Sequence, residues 1–367
     1  VDTSSILASA RVLGLERAGV CAVEPFEEVR QEIERRKTDG LSDRLGFTFT
    51  DPERSTDITR SYPWAERLVV GAIAYVPEAG DPGPPREGTG RIARFATEDH
   101  YQPLRVALGR LAEMLRDEGH QAEVLVDDNR LVDRAAAVRA GVGWWGKNTM
   151  VLSNRVGPWI LLGSVVTSAR LETTPGDGRS CGSCSACLPA CPTGALIAPG
   201  VMDARRCIAA LLQQRGSLPT ELREAIGDRI YGCDDCLDAC PPGVRLVETA
   251  TTERGRENLV DLLALSDTEL NARFDRFYVP GRSMRFLRRN LLVALGNSGG
   301  APAVPVLARY ACGGDPLLAE HAIWALGRLG GREARSALRG MDPESLDAAS
   351  ARTLQSALTR FDAPMGK

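Results

Sequence analysis

Residues 181–197 read CGSCSACLPACPTGALI, and residues 233–243 read CDDCLDACPPG. In the first stretch Cys181, Cys184, Cys187 and Cys191 stand at intervals of three, three and four, and Pro192 follows. The second stretch, 42 residues further on, repeats the ending with Cys233, Cys236, Cys240 and Pro241. Cys207 lies between them, so eight of the ten cysteines fall within 60 residues. Cys21 and Cys312 lie apart and read as ordinary buried or surface thiols, because free cysteine packs as a small apolar residue.

The rest of the composition limits what those thiols can be. At 367 residues, 43% of them apolar, the chain is long enough for two or three domains. With 45 basic and 48 acidic residues the molecule is no polycation, so a nucleic-acid partner needs a local basic patch. No run approaches the roughly 18 apolar residues of a membrane span. The opening VDTSSILASARVLGLERAGV reads as an amphipathic helix rather than a signal peptide. The expectation is a cytoplasmic protein, where thiols stay reduced and structural disulfides are disfavoured.

The chain reads in three parts. Residues 1–168 mix helix and strand patterns. The segment 3–37 suggests two helices, LASARVLGLERAG and PFEEVRQEIERRK, and LRVALGRLAEMLRDEG (104–119) a third. RLVVGAIAY (67–75), EVLVD (123–127) and WILLGSVVTS (159–168) suggest strands, and AGDPGPPREGTG (79–90) a loop. This predicts an α/β or α+β domain with a sheet core. Residues 169–252 form a loop-rich cysteine domain too small to bury much apolar surface unaided. In 253–367, VALGNSGG (293–300) recurs as WALGRLGG (324–331), a period of 31. Helix pairs at that period predict an α-solenoid of HEAT-like repeats over about 280–367.

The run C-x2-C-x2-C-x3-C-P is the iron–sulfur spacing of bacterial two-cluster ferredoxins, in which the fourth cysteine serves the other cluster. Thiolate sulfur is the soft ligand that iron–sulfur clusters select. Cross-sharing then gives one 4Fe-4S cluster Cys181, Cys184, Cys187 and Cys240. The other takes Cys191, Cys233 and Cys236, with Cys207 as the candidate for its open position. Zinc ribbons use two C-x2-C pairs and not two C-x3-C-P endings. A ferredoxin needs far fewer residues than this chain has, so the first domain is expected to receive the electrons.

With that cysteine order stand VD at 126–127, LVDRAAAVRAGVGWWGKNTM (131–150), DARRC (203–207), GDRIYGCDDCLDACP (227–241) and RNLLVALGNSG (289–299). Together they resemble the epoxyqueuosine reductase family, well over 60–367 and weakly before. The resemblance implies a cobalamin-dependent enzyme fed by two 4Fe-4S clusters. It implies reductive opening of the epoxide of epoxyqueuosine in the tRNA anticodon loop to give queuosine. By position it makes Asp127 the proton donor that an epoxide oxygen needs in order to leave. A helix-capping or turn role is the alternative for Asp127, and Asp133 is the second candidate acid.

Lys147, Asn148, Val151, Leu162 and Asp234 are the expected corrin contacts, the first two from a glycine-flanked turn that lets backbone approach a flat ligand. At least one of Trp144 and Trp145 reads as core. Arg205, Arg206, Arg282, Arg285, Arg288 and Arg289 are the candidate phosphate contacts for tRNA, the alternative being a solvated helix face. The implied partners are the anticodon stem-loop and an electron donor such as flavodoxin or ferredoxin, with a monomer as default. Three stretches depart from the family pattern: Asp128-Asn129-Arg130 for threonine–glycine–proline, EDHYQPLR (98–105) for an RDYH stretch, and a shortened FYVPGRSMRFLRRN. They leave a second reading, a corrinoid iron–sulfur reductase of a small-molecule epoxide or halide, and a third, a non-catalytic electron carrier. The tail and arginines oppose the second; Asp127 and the WWGKN turn oppose the third.

Overall fold

The computed structural model describes residues 2–75, 86–249 and 255–362; part of the expected loop (79–85) and the end of the expected repeat region (363–367) lie outside the described residues. The chain forms two compact units. Val1–Ala79, Glu98–Cys207 and Asp234–Thr252 make the first, and Gly80–Thr97, Ile208–Cys233 and Glu253–Lys367 the second.

The core of the first unit is a four-stranded sheet, ordered Arg17–Ala22, Arg67–Ala74, Ile160–Thr167, Ala122–Val126, with every neighbour antiparallel. The strand Ile160–Thr167 is buried at every position, as a strand covered on both faces must be. On one face Leu68, Val70 and Ala72 pack with Ala135, Ala136 and Ala137 of the helix Asp133–Arg139. Alternation turns Gly71 to the other face, where it pairs directly with Gly163. A Cβ on Gly71 would lie 2.8 Å from Leu15 and 3.1 Å from Leu108, and one on Gly163 2.6 Å from Leu108. The two glycines open a groove for the helix Tyr101–Asp117, which buries Leu104, Leu108, Leu111 and Leu115 at helical spacing. Each such leucine contributes about 1.5–3 kcal/mol. With an antiparallel sheet, the unit is α+β.

The expected strands at 67–75, 123–127 and 159–168 and the helix at 104–119 are present within a few residues. The helix expected over 7–19 is not. The first helix ends at Val12, Gly14 adopts φ +86°, and Arg17–Ala22 is an edge strand paired with Arg67–Ala74. Its apolar residues satisfy helical periodicity, but hydrogen bonding to a partner 45 to 55 residues away, Arg17 opposite Ala72 and Ala22 opposite Arg67, decides the outcome.

In the second unit Thr89–Ile92 lies between Arg229–Tyr231, parallel, and Glu257–Asn258, antiparallel. The remainder is helical, with long helices at Met284–Ser298, Pro316–Leu329 and Ala348–Asp362. The repeated glycines have a shared purpose. A Cβ on Gly296 would stand 2.8 Å from the Cα of Ala325, and one on Gly327 2.7 Å from Ala357, so each glycine lets the next long helix approach. Among the described residues no helix is long and apolar enough to cross a membrane.

Polar groups also lie inside this unit. Arg223, fully buried, pairs with Glu320. The Leu218 amide donates to His321 Nε2 at 3.1 Å, so the ring proton sits on Nδ1 and is donated to the Leu317 carbonyl at 2.7 Å. Burial first, and the Arg223 charge second, hold His321 neutral, its pKa well below the usual value. Glu320→Ala leaves Arg223 buried without its anion, and stability is expected to fall by about 3–5 kcal/mol in urea unfolding. Joint replacement of Arg223 and Glu320 by methionine and leucine is expected to recover most of that loss.

Candidate functional site

The cysteine loops of the first unit are built from short turns. The Cys184 amide donates to the Cys181 carbonyl at 3.0 Å, and Cys187–Ala190 forms one helical turn that ends at Cys191. Cys191 Sγ accepts from the Ala195 amide at 3.2 Å. In the second run Asp235–Asp238 is a single turn, and the Cys240 amide donates to the Leu237 carbonyl at 3.0 Å. The helix Pro241–Thr249 then carries the chain away.

The thiols act on one another electrostatically, and Cys187 acts on both Cys240 and Cys236. Burial pushes Cys240 up to about 12, and its next contributors are Cys181, Cys187 and Cys184. Burial likewise raises Cys236, followed by the charges of Cys207, Cys191 and Cys187. Burial opposes ionisation of Cys191 too, but hydrogen bonds from Thr193, Leu196 and Ala195 outweigh it and its pKa is lowered. Cys233, at the end of the stretch 208–233, packs against the core of the second unit. Among the described residues no three His, Cys, Asp or Glu side chains converge on a single metal ion.

The turn after Trp144–Trp145 holds both loops. Lys147 Nζ donates to the Gly182 carbonyl at 2.8 Å, and Asn148 Nδ2 to the Cys236 carbonyl at 3.4 Å. Asn148 Oδ1 also accepts from the Met150 amide at 3.2 Å, and Thr149 adopts φ +68°. Val151 and Leu162 lie in the apolar core of the unit. Asp234 is buried at the start of the turn Asp235–Asp238, and its carbonyl accepts from Leu237 at 2.7 Å.

Asp127 follows the strand Ala122–Val126 in the left-handed region, φ +53°, a strain of about 1–3 kcal/mol for a residue with a side chain. It is open to solvent on one side. Crowding on its protein side raises its pKa, with Arg105 pulling it down and Asp128 pushing it up. Asp128 goes the other way, lowered first by its hydrogen bond from Arg130. Arg130 also donates to Tyr62 Oη at 2.5 Å. Asp133 is raised by burial and, more weakly, by Asp127, and it accepts from the Arg134 amide at 2.6 Å. Neighbouring carboxyls pushed apart in this way are the usual arrangement of an acid beside a fixed anion. Arg134 Nη1 donates to the Thr149 carbonyl at 3.2 Å, tying the Asp127 segment to the turn that holds the cysteine loops.

Arg105 and Tyr62 were not among the expected site residues. Arg105 lies in the divergent 98–105 stretch and pairs with Asp99 at 3.7 Å. Tyr62 carried no sequence signal, since its partner is 68 residues away.

The candidate phosphate contacts divide. Arg205 and Arg206 are exposed, Arg205 paired with Asp203 at 2.7 Å. Arg282 and Arg285 are exposed too, Arg285 beside Asp315 at 2.8 Å. Arg288 and Arg289 face inward and correct the expectation. Arg288 donates to Asp267, the Leu265 carbonyl and Tyr310 Oη, and Arg289, fully buried, to the carbonyls of Gln214, Gly216 and Leu211. Both arginines serve the packing of Met284–Ser298 and offer nothing to a phosphate.

Residues 180–243 match the 4Fe-4S double cluster binding domain. Fold and site thus define a two-cluster iron–sulfur protein with an added α+β unit. The epoxyqueuosine reductase of Bacillus cereus is 32% identical over 338 residues, 89% of this chain and 88% of that one. That of Staphylococcus aureus is 31% identical over 342 residues, 90% and 89% of the two chains. A crystal structure of epoxyqueuosine reductase with an epoxyqueuosine-modified tRNA-Tyr stem loop superposes with TM-score 0.84 at 29% identity, covering 98% of both chains. The structure of the Streptococcus thermophilus reductase gives 0.87 at 27% identity, covering 98% and 99%. The chain belongs to the epoxyqueuosine reductase family and is an oxidoreductase.

In the iron-free chain at pH 8, iodoacetamide is expected to label exposed Cys184 at least tenfold faster than Cys240, because only thiolate reacts and burial holds Cys240 protonated. Peptide mass spectrometry over a time course reads the two rates, and equal rates would contradict the burial of Cys240.

Proposed function

We propose that this chain removes the epoxide oxygen of epoxyqueuosine in the tRNA anticodon loop, giving queuosine. The observation that carries the reading is the match over 98% of both chains to a reductase crystallised with its modified stem loop. The reaction takes two electrons and two protons. Both C–O bonds of the epoxide break, a C=C bond forms, and the oxygen leaves as water.

Cys181, Cys184, Cys187 and Cys240 are the ligands proposed for one cluster, and Cys191, Cys207, Cys233 and Cys236 for the other. The action of Cys181 and Cys184 on Cys240, and of Cys191 and Cys207 on Cys236, supports this assignment, Cys187 acting on both. The clusters supply one-electron transfer, and a flavodoxin or ferredoxin is the proposed source. Asp127 holds the proton for the departing oxygen, with Asp128 kept anionic by Arg130 so that the two carboxyls do not exchange roles. Lys147 and Asn148 fix the cysteine loops.

Cobalamin is the further cofactor that the family resemblance implies. Lys147, Asn148, Val151, Leu162 and Asp234 remain the contacts proposed for it; Lys147 and Asn148 bond the cysteine loops, Val151 and Leu162 join the apolar core, and Asp234 is buried. Arg205, Arg206, Arg282 and Arg285 are the arginines proposed to meet tRNA phosphates. The glycine register at Gly296 and Gly327 supports a HEAT-like reading of the helical tail. The functional division proposed is 1–168 for corrinoid and substrate, 169–252 for the clusters and 253–367 for the tail, in a cytoplasmic monomer.

The test is an anaerobic assay of the reconstituted, cobalamin-supplemented chain on tRNA bearing epoxyqueuosine, with the nucleoside weighed after digestion. Loss of one oxygen is expected. Asp127→Asn is expected to lower turnover by about 10²- to 10⁴-fold, and Asp133→Asn by much less. Because the acting form is the acid and its pKa is raised, turnover should be full at low pH and decline as pH climbs through that pKa. An unchanged nucleoside with both clusters intact would remove this substrate; an unaffected Asp127→Asn enzyme would remove the acid.

A further inference from the structure

Trp144 stands opposite Leu152 in the hairpin of Trp144–Trp145 and Val151–Leu152, and its side chain is buried. The indole packs in an apolar cluster with Leu152 and Cys240, and Cys181 lies against the same cluster. Its Nε1 is enclosed and meets no acceptor among the described residues. Phenylalanine would fill this space without burying a donor, and an indole N–H left unmet in an apolar pocket is a cost without return. Trp145, on the opposite face of the strand, is exposed.

The sulfur side of this pocket supplies what the nitrogen lacks. Cys181 and Cys240 come from the two separate cysteine runs and share the cluster assigned above. Once a 4Fe-4S body stands on those thiolates, its sulfurs are acceptors beside the indole. The Arg179 guanidinium carbon lies 5.9 Å from the ring centroid, where a cation draws on the π-system and strengthens the N–H as a donor. Hydrogen bonds to cluster sulfur are among the main protein controls on cluster potential. Reduction adds charge that is spread onto sulfur, so a donor stabilises the reduced form more than the oxidised one.

We infer that Trp144 donates its indole N–H to sulfur of the cluster held by Cys181, Cys184, Cys187 and Cys240, and raises the reduction potential of that cluster above the value its thiolates alone would set. The inference rests on the two-cluster reading. Trp144 is a positioning residue for the electron: it makes this cluster a better one-electron acceptor than its thiolates alone would, without touching substrate.

The test is an EPR-monitored redox titration of the full reconstituted chain against Trp144→Phe, with iron content measured on both. One of the two potentials is expected to fall, by a threefold to tenfold change in the reduction equilibrium, tenfold being about 59 mV for one electron. The other potential should hold, and iron content should match the wild type. In the unmutated protein grown with indole-15N tryptophan, pulsed EPR of the reduced cluster should show a nitrogen coupling. Absence of that coupling overturns the inference even if the variant fails to fold. Unchanged potentials with full iron, or equal shifts of both, overturn it as well while leaving the cluster reading intact. A wild-type chain that binds no 4Fe-4S cluster sinks the reading and this inference together.

Discussion

The turn at 147–148 fastens cysteine loops that the chain keeps 54 residues apart, one hydrogen bond to Gly182 and one to Cys236. Neither loop has secondary structure beyond a single turn to hold its own shape. Buried thiols resist ionisation, as Cys240 and Cys236 show, so metal binding has to supply the energy of deprotonation. A scaffold that presents the sulfurs beforehand reduces what binding must also spend on ordering. The turn is in turn set by the sheet: Trp144 and Leu152 pair in a hairpin, and Arg134 bonds Thr149 from the segment that carries Asp127. One short stretch therefore connects the segment that follows Asp127 to both cysteine loops.

The second unit solves a different problem. Its long helices approach closely where glycine replaces a side chain, at Gly296 and Gly327, and its interior takes charged groups rather than excluding them. Arg289 is stripped of water and its pKa falls to about 9, chiefly through burial, yet it satisfies itself on backbone carbonyls left over at the ends of neighbouring elements. Buried polar networks of this kind tolerate one arrangement of partners, so they specify how the helices meet as much as they stabilise the packing.

What the sequence disclosed follows from the range of the forces involved. Cysteine spacing is local and chemically narrow, so both cluster runs were legible at once. Strands such as Ile160–Thr167 were legible because burial on both faces demands an unbroken apolar run. The edge strand Arg17–Ala22 was not, since its pairing partner is remote. Arg288 and Arg289 were misread because an arginine-rich helix normally faces water, and only the carbonyls around Gln214 and Leu265 reveal the inward alternative. Lys147 and Asn148 were singled out as corrin contacts, whereas their bonds to the carbonyls of Gly182 and Cys236 belong to tertiary structure and had no local signal. Asp127 was found by resemblance; its left-handed backbone and crowded flank appear only in three dimensions.

The two units are interleaved along the chain: the first closes only when 234–252 returns to it, after 80–97 and 208–233 have gone to the second. Biosynthesis inherits that order. At some 5–20 residues per second, the cysteines of the first run are made several seconds before Cys240. During that interval they are exposed thiols with no complete ligand set. Iron delivered before then would find only fragments of the proposed site, so a chain threaded in this way favours loading after Cys240 has emerged over loading earlier. The same threading means that neither unit can be cut out as one continuous piece, and a gene fragment ending before residue 234 would encode Asp127 and the first cysteine loop without the stretch of chain that completes their unit.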